Sequence, residues 1–393
     1  MAEQIALEGN QAVAEAMRQV NPDVVAAYPI TPSTEIVQIF SQFVADGKVD
    51  TEFVAVESEH SAMTACISAA LAGGRVMNAT SSQGLALMWE MLYIGASLRA
   101  PITLALVNRA LSGPINIHCD HSDSMGARDC GWIQLFCENA QEAYDTVFQA
   151  VRIGEHLDVR LPVMVCFDGF LVSHSVEMVA VEGDEAVREW VGPYVQDRSL
   201  LDTQNPFTIG ALDLQDFYFE HKRGQVEAYK GVPAIINEVG ADFGQAFGRP
   251  YGLMEPYMLD DAELAIVSLG STAGTVKDIV DAERAAGKAV GALKLRSFRP
   301  FPADEIAAHL AGKQAVAVLD RAISFGAASA PLYSEVTSAL YARGASVPVA
   351  TYVYGLGGRE ILPEHIEQVY GDLAQVAADG KADTQPLYLG LRD

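Results

Sequence analysis

The chain has 393 residues, half of them hydrophobic, and a formal net charge of −25. The acidic balance disfavours non-specific binding to nucleic acid. No run of about 18 apolar residues is present to span a membrane, and the first ten residues lack the basic and apolar regions of a signal peptide. We therefore expect a cytoplasmic protein of two or three domains, since one core does not ordinarily organise so long a chain.

The cysteines are scattered along the first half of the chain. Their number is odd and none forms a C-x-x-C pair, which indicates free thiols in the absence of a secretory signal. Iron–sulfur clusters take closely spaced cysteine ligands, so we expect this chain to carry no cluster of its own. The five cysteines are Cys66, Cys119, Cys130, Cys137 and Cys166.

Strands and helices alternate over the first 170 residues, which predicts a mostly parallel sheet covered on both faces. A loop and an amphipathic helix after Gly9 precede them, and a second helix begins near Thr34. The predicted strands are 24–28, 53–56, 75–79, 102–108, 132–137 and 162–167. The later predicted helices are 61–71, 84–98 and 140–157.

The pattern loosens from about 176 to 260, where prolines, aromatic residues and charges mix without a clear period. We interpret this segment as an extended connector that packs on the first domain. A second α/β pattern follows, with strands at 265–269, 289–294, 315–319 and 349–354 and helices at 273–286, 303–311 and 328–343. The prediction is two doubly wound α/β domains, 1–245 and 260–393.

The stretch 53–83 contains a carboxylate in a notable position. Ser58 is a plausible helix N-cap, and Glu59 follows in the first turn of a helix of small residues. The loop TSSQG at 80–84 caps the next strand, and such loops at the carboxyl ends of parallel strands commonly bind ligands. On local sequence alone, a glutamate that only interacts with the helix dipole is the simpler interpretation.

A long polar loop occupies 109–131, and loops of this length are typically functional or disordered. Its run of His and Asp at 118–123 would suit zinc or iron, but ligands so closely spaced rarely converge, and we predict no metal. We expect instead that Asp120 or Asp123 braces Arg109 or Arg128.

Two glycine-rich turns follow strands in the second half. The turn GSTAG at 270–274 opens a helix but matches neither phosphate-binding glycine motif, so an ordinary strand-to-helix turn is favoured. The turn GLGGRE at 355–360 indicates either a subunit contact or tight packing.

Eight motifs in order carry a family resemblance over nearly the whole chain. They resemble the alpha subunit of 2-oxoacid:ferredoxin oxidoreductases of the pyruvate synthase type. The motifs are YPITPSTEI (28–36), ESEHSAM (57–63), NATSSQGLALMWE (78–90), INIHCDHSD (115–123), RDCGWIQ (128–134), LRSFRPFP (295–302), LDRAISFG (319–326) and YGLGGRE (354–360).

The resemblance implies oxidative decarboxylation of a 2-oxoacid on thiamine diphosphate, yielding acyl-CoA and CO2 and passing electrons to ferredoxin or another acceptor. It implies a pyrimidine-binding domain followed by a domain like the C-terminal one of transketolase. A beta subunit would share the cofactor, and beta, gamma and delta subunits would complete the complex. Mg²⁺ and 4Fe–4S clusters would lie on partner subunits, in keeping with the absence here of a GDG motif followed by Asn-Asn.

The resemblance also implies roles for individual residues. Glu59 matches the glutamate that hydrogen-bonds the aminopyrimidine ring nitrogen, with Glu57 as the alternative if the register differs. Thr31 and Arg109 match residues that meet the substrate carboxylate, a contact for which a guanidinium is well suited; Arg99 and Arg128 compete with Arg109. The other residues implied near the cofactor are Pro29, Ile30, Thr80, Ser81 and Ser82.

Alternatives remain open at this point. Pyruvate is the default substrate, but His118 and Cys119 depart from the common family pattern, so an aromatic or branched 2-oxoacid such as phenylglyoxylate or 2-oxoisovalerate is also considered. A non-catalytic assembly subunit is a second alternative. A self-contained transketolase-like enzyme is a third, and the missing diphosphate motif argues against it.

Overall fold

The computed structural model describes residues 2–196 and 198–392, which build two large sheets covered by helices. The strands are β1 (Glu3–Glu8), β2 (Val24–Ala27), β3 (Glu52–Ala55), β4 (Val76–Thr80), β5 (Ile102–Asn108), β6 (Ile133–Cys137), β7 (Val163–Asp168), β8 (Val176–Val181), β9 (Met254–Tyr257), β10 (Leu264–Ser268), β11 (Val290–Leu295), β12 (Ser297–Arg299), β13 (Ala315–Asp320), β14 (Val349–Val353) and β15 (Leu387–Tyr388).

The helices cover both faces of these sheets. They are α1 (Gly9–Val20), α2 (Thr34–Ala45), α3 (Glu59–Ala72), α4 (Ser82–Leu87), α5 (Trp89–Ser97), α6 (Ser122–Gly126), α7 (Ala140–Glu155), α8 (Asp184–Val191), α9 (Tyr218–Ala228), α10 (Val232–Phe247), α11 (Thr272–Ala285), α12 (Ala303–Leu310), α13 (Pro331–Ala342) and α14 (Pro363–Asp379), with a 3-10 turn at Leu356–Gly358. No helix in the described ranges has both the length and the apolar character of a membrane span.

The first sheet has seven strands in the order β12-β6-β7-β5-β4-β2-β3, and all of them are parallel except β12. Strands β5 and β7 are buried along their whole length, as expected for central strands of a parallel sheet covered on both faces. The predicted α/β class is confirmed. The carboxyl ends of β2, β3, β4 and β5 all lie at one edge of this sheet.

The second sheet has the order β15-β14-β13-β10-β11-β9, with β9 antiparallel to its neighbour. Strand β12 follows β11 in the chain but pairs with β6 of the first sheet. One apolar cluster accordingly joins side chains from both halves, such as Phe136 and Phe298, whose ring centroids are 6.2 Å apart. The two sheets therefore share a continuous core contact at this edge.

Helix α3 shows why the residues around Glu59 fold as they do. Ser58 caps it, because its hydroxyl accepts a hydrogen bond from Ser61 N at 3.2 Å, and Gly73 ends it in the left-handed conformation at φ 109°. Small side chains on its inner face, among them Ala62 and Cys66, are fully buried. The helix can thus approach the sheet closely and hold Glu59 at its first position.

Three sequence expectations are corrected: the loop before Gly9 is strand β1, the connector contains regular elements, and one predicted helix is two. Segment 176–260 is not an extended connector, because β8, α8, α9, α10 and β9 lie within it. Helix α10 buries residues at helical spacing, but its proline and glycines obscured that period. The predicted helix 84–98 is two helices that meet at Met88, and helix α14 was not predicted at all. The buried residues of α10 with this spacing are Val232, Ile235, Ile236, Val239 and Phe243.

Candidate active site

Most of the candidate residues gather where strands of the first sheet end. The turn after β2 carries Thr31, helix α3 after β3 begins with Glu59, β4 ends at Thr80, and Arg109 follows β5 directly. Neighbouring parallel strands bring their carboxyl ends together. The Arg109 guanidinium confirms this proximity, because its Nη1 donates to the Thr31 backbone oxygen at 2.9 Å.

Glu59 is a buried carboxylate without a hydrogen-bond donor among the described residues. It is 6 % exposed, whereas Glu57 is exposed and accepts a hydrogen bond from the Ser61 hydroxyl. The first turn of α4 crosses Glu59 at Gly84, where a Cβ atom would lie 2.8 Å from Glu59 Oε1. The structure therefore singles out Glu59, rather than Glu57, as the enclosed carboxylate.

Thr80, Ser81 and Ser82, at the end of β4 and the start of α4, are fully buried but differ in their hydrogen bonds. Thr80 Oγ1 and Ser81 Oγ have no hydrogen-bond partner within the described ranges. Ser82, at φ 45°, donates its hydroxyl to Ala110 O at 2.6 Å and its backbone N–H to Asp123 Oδ2 at 3.0 Å. Ser82 thus fixes the start of α4, while the Thr80 and Ser81 hydroxyls keep unused hydrogen-bonding capacity.

Arg109 is a buried cation whose guanidinium forms no ion pair with a carboxylate in the described chain, although the Asp123 charge lies nearby. Its Nε donates to Asn116 O at 2.8 Å and its Nη1 to Thr31 O, and no described residue accepts from Nη2. Burial lowers the pKa of this guanidinium. A carboxylate ligand would supply both the missing charge and the missing hydrogen bond.

The competing arginines lie elsewhere. Arg99 donates to the backbone oxygens of Val159 and Arg160, and Arg128 donates to Met125 O and approaches Asp129. Neither of their guanidinium groups forms a hydrogen bond with Thr31 or with the loop after β4 in the part of the chain that the structure describes.

The turn after β2 presents Thr31 to solvent. Two hydrogen bonds hold this turn: the Ser33 hydroxyl donates to Ile30 O at 2.8 Å, and Asn10 Nδ2 donates to Pro32 O at 2.8 Å. Pro29 and Thr31 are exposed and Ile30 is half-buried. These residues therefore form an exposed turn, here called the rim, beside the Arg109 guanidinium that donates to Thr31 O.

Asp123 connects the start of α4 with the loop that follows β5. The sequence predicted only that Asp120 or Asp123 would brace Arg109 or Arg128. Its Oδ2 accepts from Ser82 N and Arg109 N, each at 3.0 Å, and its Oδ1 accepts from Asn108 Nδ2 at 2.8 Å. Burial raises the pKa of Asp123 to about 6. The expected brace of Arg109 exists, but Asp123 holds the backbone of that residue and leaves the guanidinium available.

A second buried cluster brings Cys119, His121 and Asp168 together at ligand-like distances. The Asp168 carboxylate is already saturated, because it accepts from His121 Nε2 at 2.7 Å, Ser271 Oγ at 2.6 Å and Arg321 Nη1 at 2.9 Å. Burial alone would raise the pKa of Asp168, but the charges of His121 and Arg321 lower it overall. A cation here would face the Arg321 charge, so the cluster fits an ion pair between the two halves and not a metal site.

Comparison with known families gives two matches along the chain. Residues 15–241 match the family model "Pyruvate flavodoxin/ferredoxin oxidoreductase, thiamine diP-bdg", and residues 262–366 match "Pyruvate:ferredoxin oxidoreductase core domain II". Pyruvate synthase subunit PorA of Thermotoga maritima is 56 % identical over 393 residues, which cover 100 % of this chain and 99 % of that protein.

Other relatives are more distant. PorA of Methanocaldococcus jannaschii is 43 % identical over 395 residues, covering 100 % of this chain and 99 % of that protein. Ketoisovalerate oxidoreductase subunit VorA of Pyrococcus abyssi is 41 % identical over 380 residues, covering 96 % of this chain and 95 % of that protein.

Two solved structures share the fold. A 2-oxoglutarate:ferredoxin oxidoreductase of Magnetococcus marinus superposes with a TM-score of 0.73 at 21 % identity, covering 95 % of this chain and 66 % of that chain. An inactive tetramer of a split-gene transketolase superposes with a TM-score of 0.51 at 12 % identity, covering 95 % of this chain and 97 % of that chain.

Proposed function

From the premise that this chain belongs to the pyruvate flavodoxin/ferredoxin oxidoreductase family, we propose that it is the alpha subunit of a cytoplasmic complex that oxidatively decarboxylates pyruvate. Members of this family are oxidoreductases with a thiamine-diphosphate-binding domain. The products would be an acyl-CoA and CO2, and the electrons would pass to ferredoxin or another acceptor. The relatives that match over the full chain include subunits named for pyruvate synthase, which favours pyruvate.

The observation that supports this proposal is the buried Glu59, whose carboxylate accepts no hydrogen bond from a described residue and lies near the Thr80 hydroxyl, which also lacks a partner in the described chain. Buried polar groups are nearly always hydrogen-bonded, so this set calls for a ligand that both donates and accepts. An aminopyrimidine has ring nitrogens and an amino group and therefore fits. Thiamine diphosphate, when bound, supplies the electron sink that decarboxylation of a 2-oxoacid requires.

The residues of this chain would act in three ways. Glu59 holds a proton at a ring nitrogen of the pyrimidine and exchanges it, a task for which a positioned carboxylate is suited. Arg109 and Thr31 bind and orient the substrate carboxylate. The buried loop of Thr80, Ser81 and Ser82 lines the cofactor and keeps water away from it. Pro29 and Ile30 complete the rim.

We propose that 1–245 forms the pyrimidine-binding domain and 260–393 the transketolase C-terminal-like domain. The two large sheets lie mostly in these two parts, although β12 of the second part joins the first sheet. Because the sequence lacks a diphosphate motif, we assign the diphosphate and Mg²⁺ site to a beta subunit. We assign the 4Fe–4S clusters to the partner subunits, since the cysteines of this chain are buried and dispersed.

Exposed apolar side chains on the segments that carry the site support a beta subunit docked over it. A shared cofactor would lie beneath such a contact, and exposed apolar residues are typical of a covered surface. With gamma and delta subunits, the complex would then reach CoA and the acceptor. These exposed apolar residues are Tyr28, Leu87, Trp89, Ile115 and Ile117.

The test is turnover of the natively purified complex on a panel of 2-oxoacids with CoA and a viologen dye. We expect pyruvate to give the highest kcat/KM. Faster oxidation of 2-oxoisovalerate is the second candidate, favoured by the similarity to a ketoisovalerate oxidoreductase subunit. Absence of turnover on every 2-oxoacid would contradict the catalytic proposal and favour an assembly subunit.

A further inference from the structure

The glycine-rich turn after β14 packs directly on the loop that follows Arg109. Gly357 and Gly358 have positive φ angles of 60° and 80°. A Cβ atom on Gly357 would overlap Asn116 Nδ2, and one on Gly358 would lie 3.0 Å from His118 Cγ. Gly358 N also donates to Cys119 O at 2.6 Å. Glycine is therefore required here both by the backbone conformation and by the close approach of the loop.

Asn116 lies at the centre of this contact and takes part in three hydrogen bonds. Its Nδ2 donates to Gly357 O at 3.0 Å, and its Oδ1 accepts from His118 N at 2.7 Å. Its backbone oxygen accepts from Arg109 Nε at 2.8 Å. A continuous path of hydrogen bonds thus runs from the turn of the second half, through one asparagine, to the guanidinium beside Thr31.

We propose that Asn116 is a positioning residue, which together with the Gly357–Gly358 turn fixes the Arg109 guanidinium for the substrate carboxylate. The inference rests on the proposed function, in which Arg109 binds that carboxylate. It also accounts for a glycine-rich turn that the sequence left as either a subunit contact or tight packing.

The surrounding loop explains why such a support is needed. Residues 112–115 are exposed and belong to no helix or strand, so the chain between Arg109 and Asn116 has little packing of its own. A guanidinium gains binding energy from a carboxylate mainly when its fork is already oriented. The turn supplies this orientation from a rigid strand end rather than from the loop itself.

The experiment compares Asn116→Ala and Gly357→Ala in the assembled complex. Asn116→Ala removes the side chain that donates to Gly357 O, and Gly357→Ala adds a methyl group that would displace that side chain. Each variant alone therefore tests the contact between Asn116 and the turn. We expect KM for the 2-oxoacid to rise roughly tenfold, as for loss of an orienting hydrogen bond, while kcat changes less than about threefold and KM for CoA is unchanged. The double variant should be no worse than the poorer single variant, because the two residues act as one unit.

Gly344→Ala is the matched control, since Gly344 also has a positive φ, 69°, but a Cβ atom placed on it would have no atom within 4 Å. Hydrogen–deuterium exchange of 109–121 in the whole complex gives a second readout, which should increase in both test variants and not in the control. The inference is overturned if the wild-type complex is active and the two test variants keep the wild-type KM for the 2-oxoacid. It is also overturned if these variants lose kcat alone. A wild-type complex inactive on 2-oxoacids instead overturns the proposed function.

Discussion

Gly84 lies directly against Glu59, so that a Cβ atom on residue 84 would stand 2.8 Å from Glu59 Oε1. The same Cβ atom would overlap the hydroxyl of Thr80, which has no hydrogen-bond partner in the described chain. The first turn of α4 therefore closes over the carboxylate only because residue 84 lacks a side chain. This packing makes the distance between α3 and α4 a determinant of the site.

Gly84→Ala tests this relationship. We expect the added methyl group to displace Glu59 or Thr80, to raise the thiamine diphosphate concentration for half-maximal activity by roughly tenfold or more, and to cost about 1–3 kcal/mol of stability from overpacking. The measurement is cofactor titration of the complex after dialysis. Gly224→Ala is the control, because Gly224 is also within a helix but has nothing within 4 Å of a Cβ atom. Equal titration curves for both variants would contradict the prediction.

Glu59→Gln keeps the shape of the side chain and removes its ability to take up a proton. If Glu59 exchanges a proton with the pyrimidine, kcat should fall about 10²- to 10⁴-fold, with much smaller changes in KM. Steady-state kinetics of the complex on pyruvate provides the measurement. Glu57→Gln is the matched control two residues away, where the side chain is exposed, and its kcat should stay near the wild-type value. Unchanged turnover in Glu59→Gln would support an assembly role.

Arg109→Met removes the buried guanidinium that borders Thr31. If Arg109 binds the substrate carboxylate as proposed, KM for the 2-oxoacid should rise by about two orders of magnitude, because a charge-assisted pair would be lost. Arg128→Met should leave KM unchanged, since its guanidinium donates to Met125 O and approaches Asp129, away from Thr31. Michaelis–Menten kinetics of both variant complexes decides the matter, and equal KM values for the two variants would count against a substrate role of Arg109.

Sequence alone predicted most strands of both large sheets and the position of Glu59 on its helix. Those features depend on local patterns: apolar runs of strand length, a Ser58 cap and glycine at the helix end. Helix α10 was not predicted, because Pro233 and Gly240 interrupt its apolar pattern in the sequence. Its buried positions nevertheless follow the spacing of a helix.

Most contacts that assemble the site could not be predicted from the sequence, because they join residues far apart in the chain. Asp123 binds Ser82 and Arg109 through their backbone N–H groups, which carry no signal in the sequence. Asn116 and Gly357 are separated by 241 positions and become neighbours only when the two halves pack. A motif can therefore identify the residues, whereas the hydrogen bonds that orient them require the fold.

We expect Asp320 to make the stability of the fold depend on pH near neutrality. This carboxyl ends β13 and accepts from the backbone N–H groups of Leu332 and Tyr333 at the start of α13, at 2.7 and 3.0 Å. Burial raises the pKa of Asp320 from 3.8 to about 7. Because the folded-state pKa lies above the unfolded value, folding takes up a proton between pH 4 and 7, and the associated stability is lost as the pH rises through 7.

The variant Asp320→Asn removes this titration while keeping the size of the side chain. We expect the thermal midpoint of the wild-type complex to decline between pH 5 and 7.5 relative to that of the variant. The free energy of unfolding should fall by at most about 1.4 kcal/mol per pH unit from this one group. Scanning fluorimetry of both complexes over that range provides the measurement. The amide still accepts one of the two backbone hydrogen bonds, so the variant has a constant offset in stability, which does not affect the comparison of slopes. Parallel curves for the two complexes would show that Asp320 does not titrate in this range.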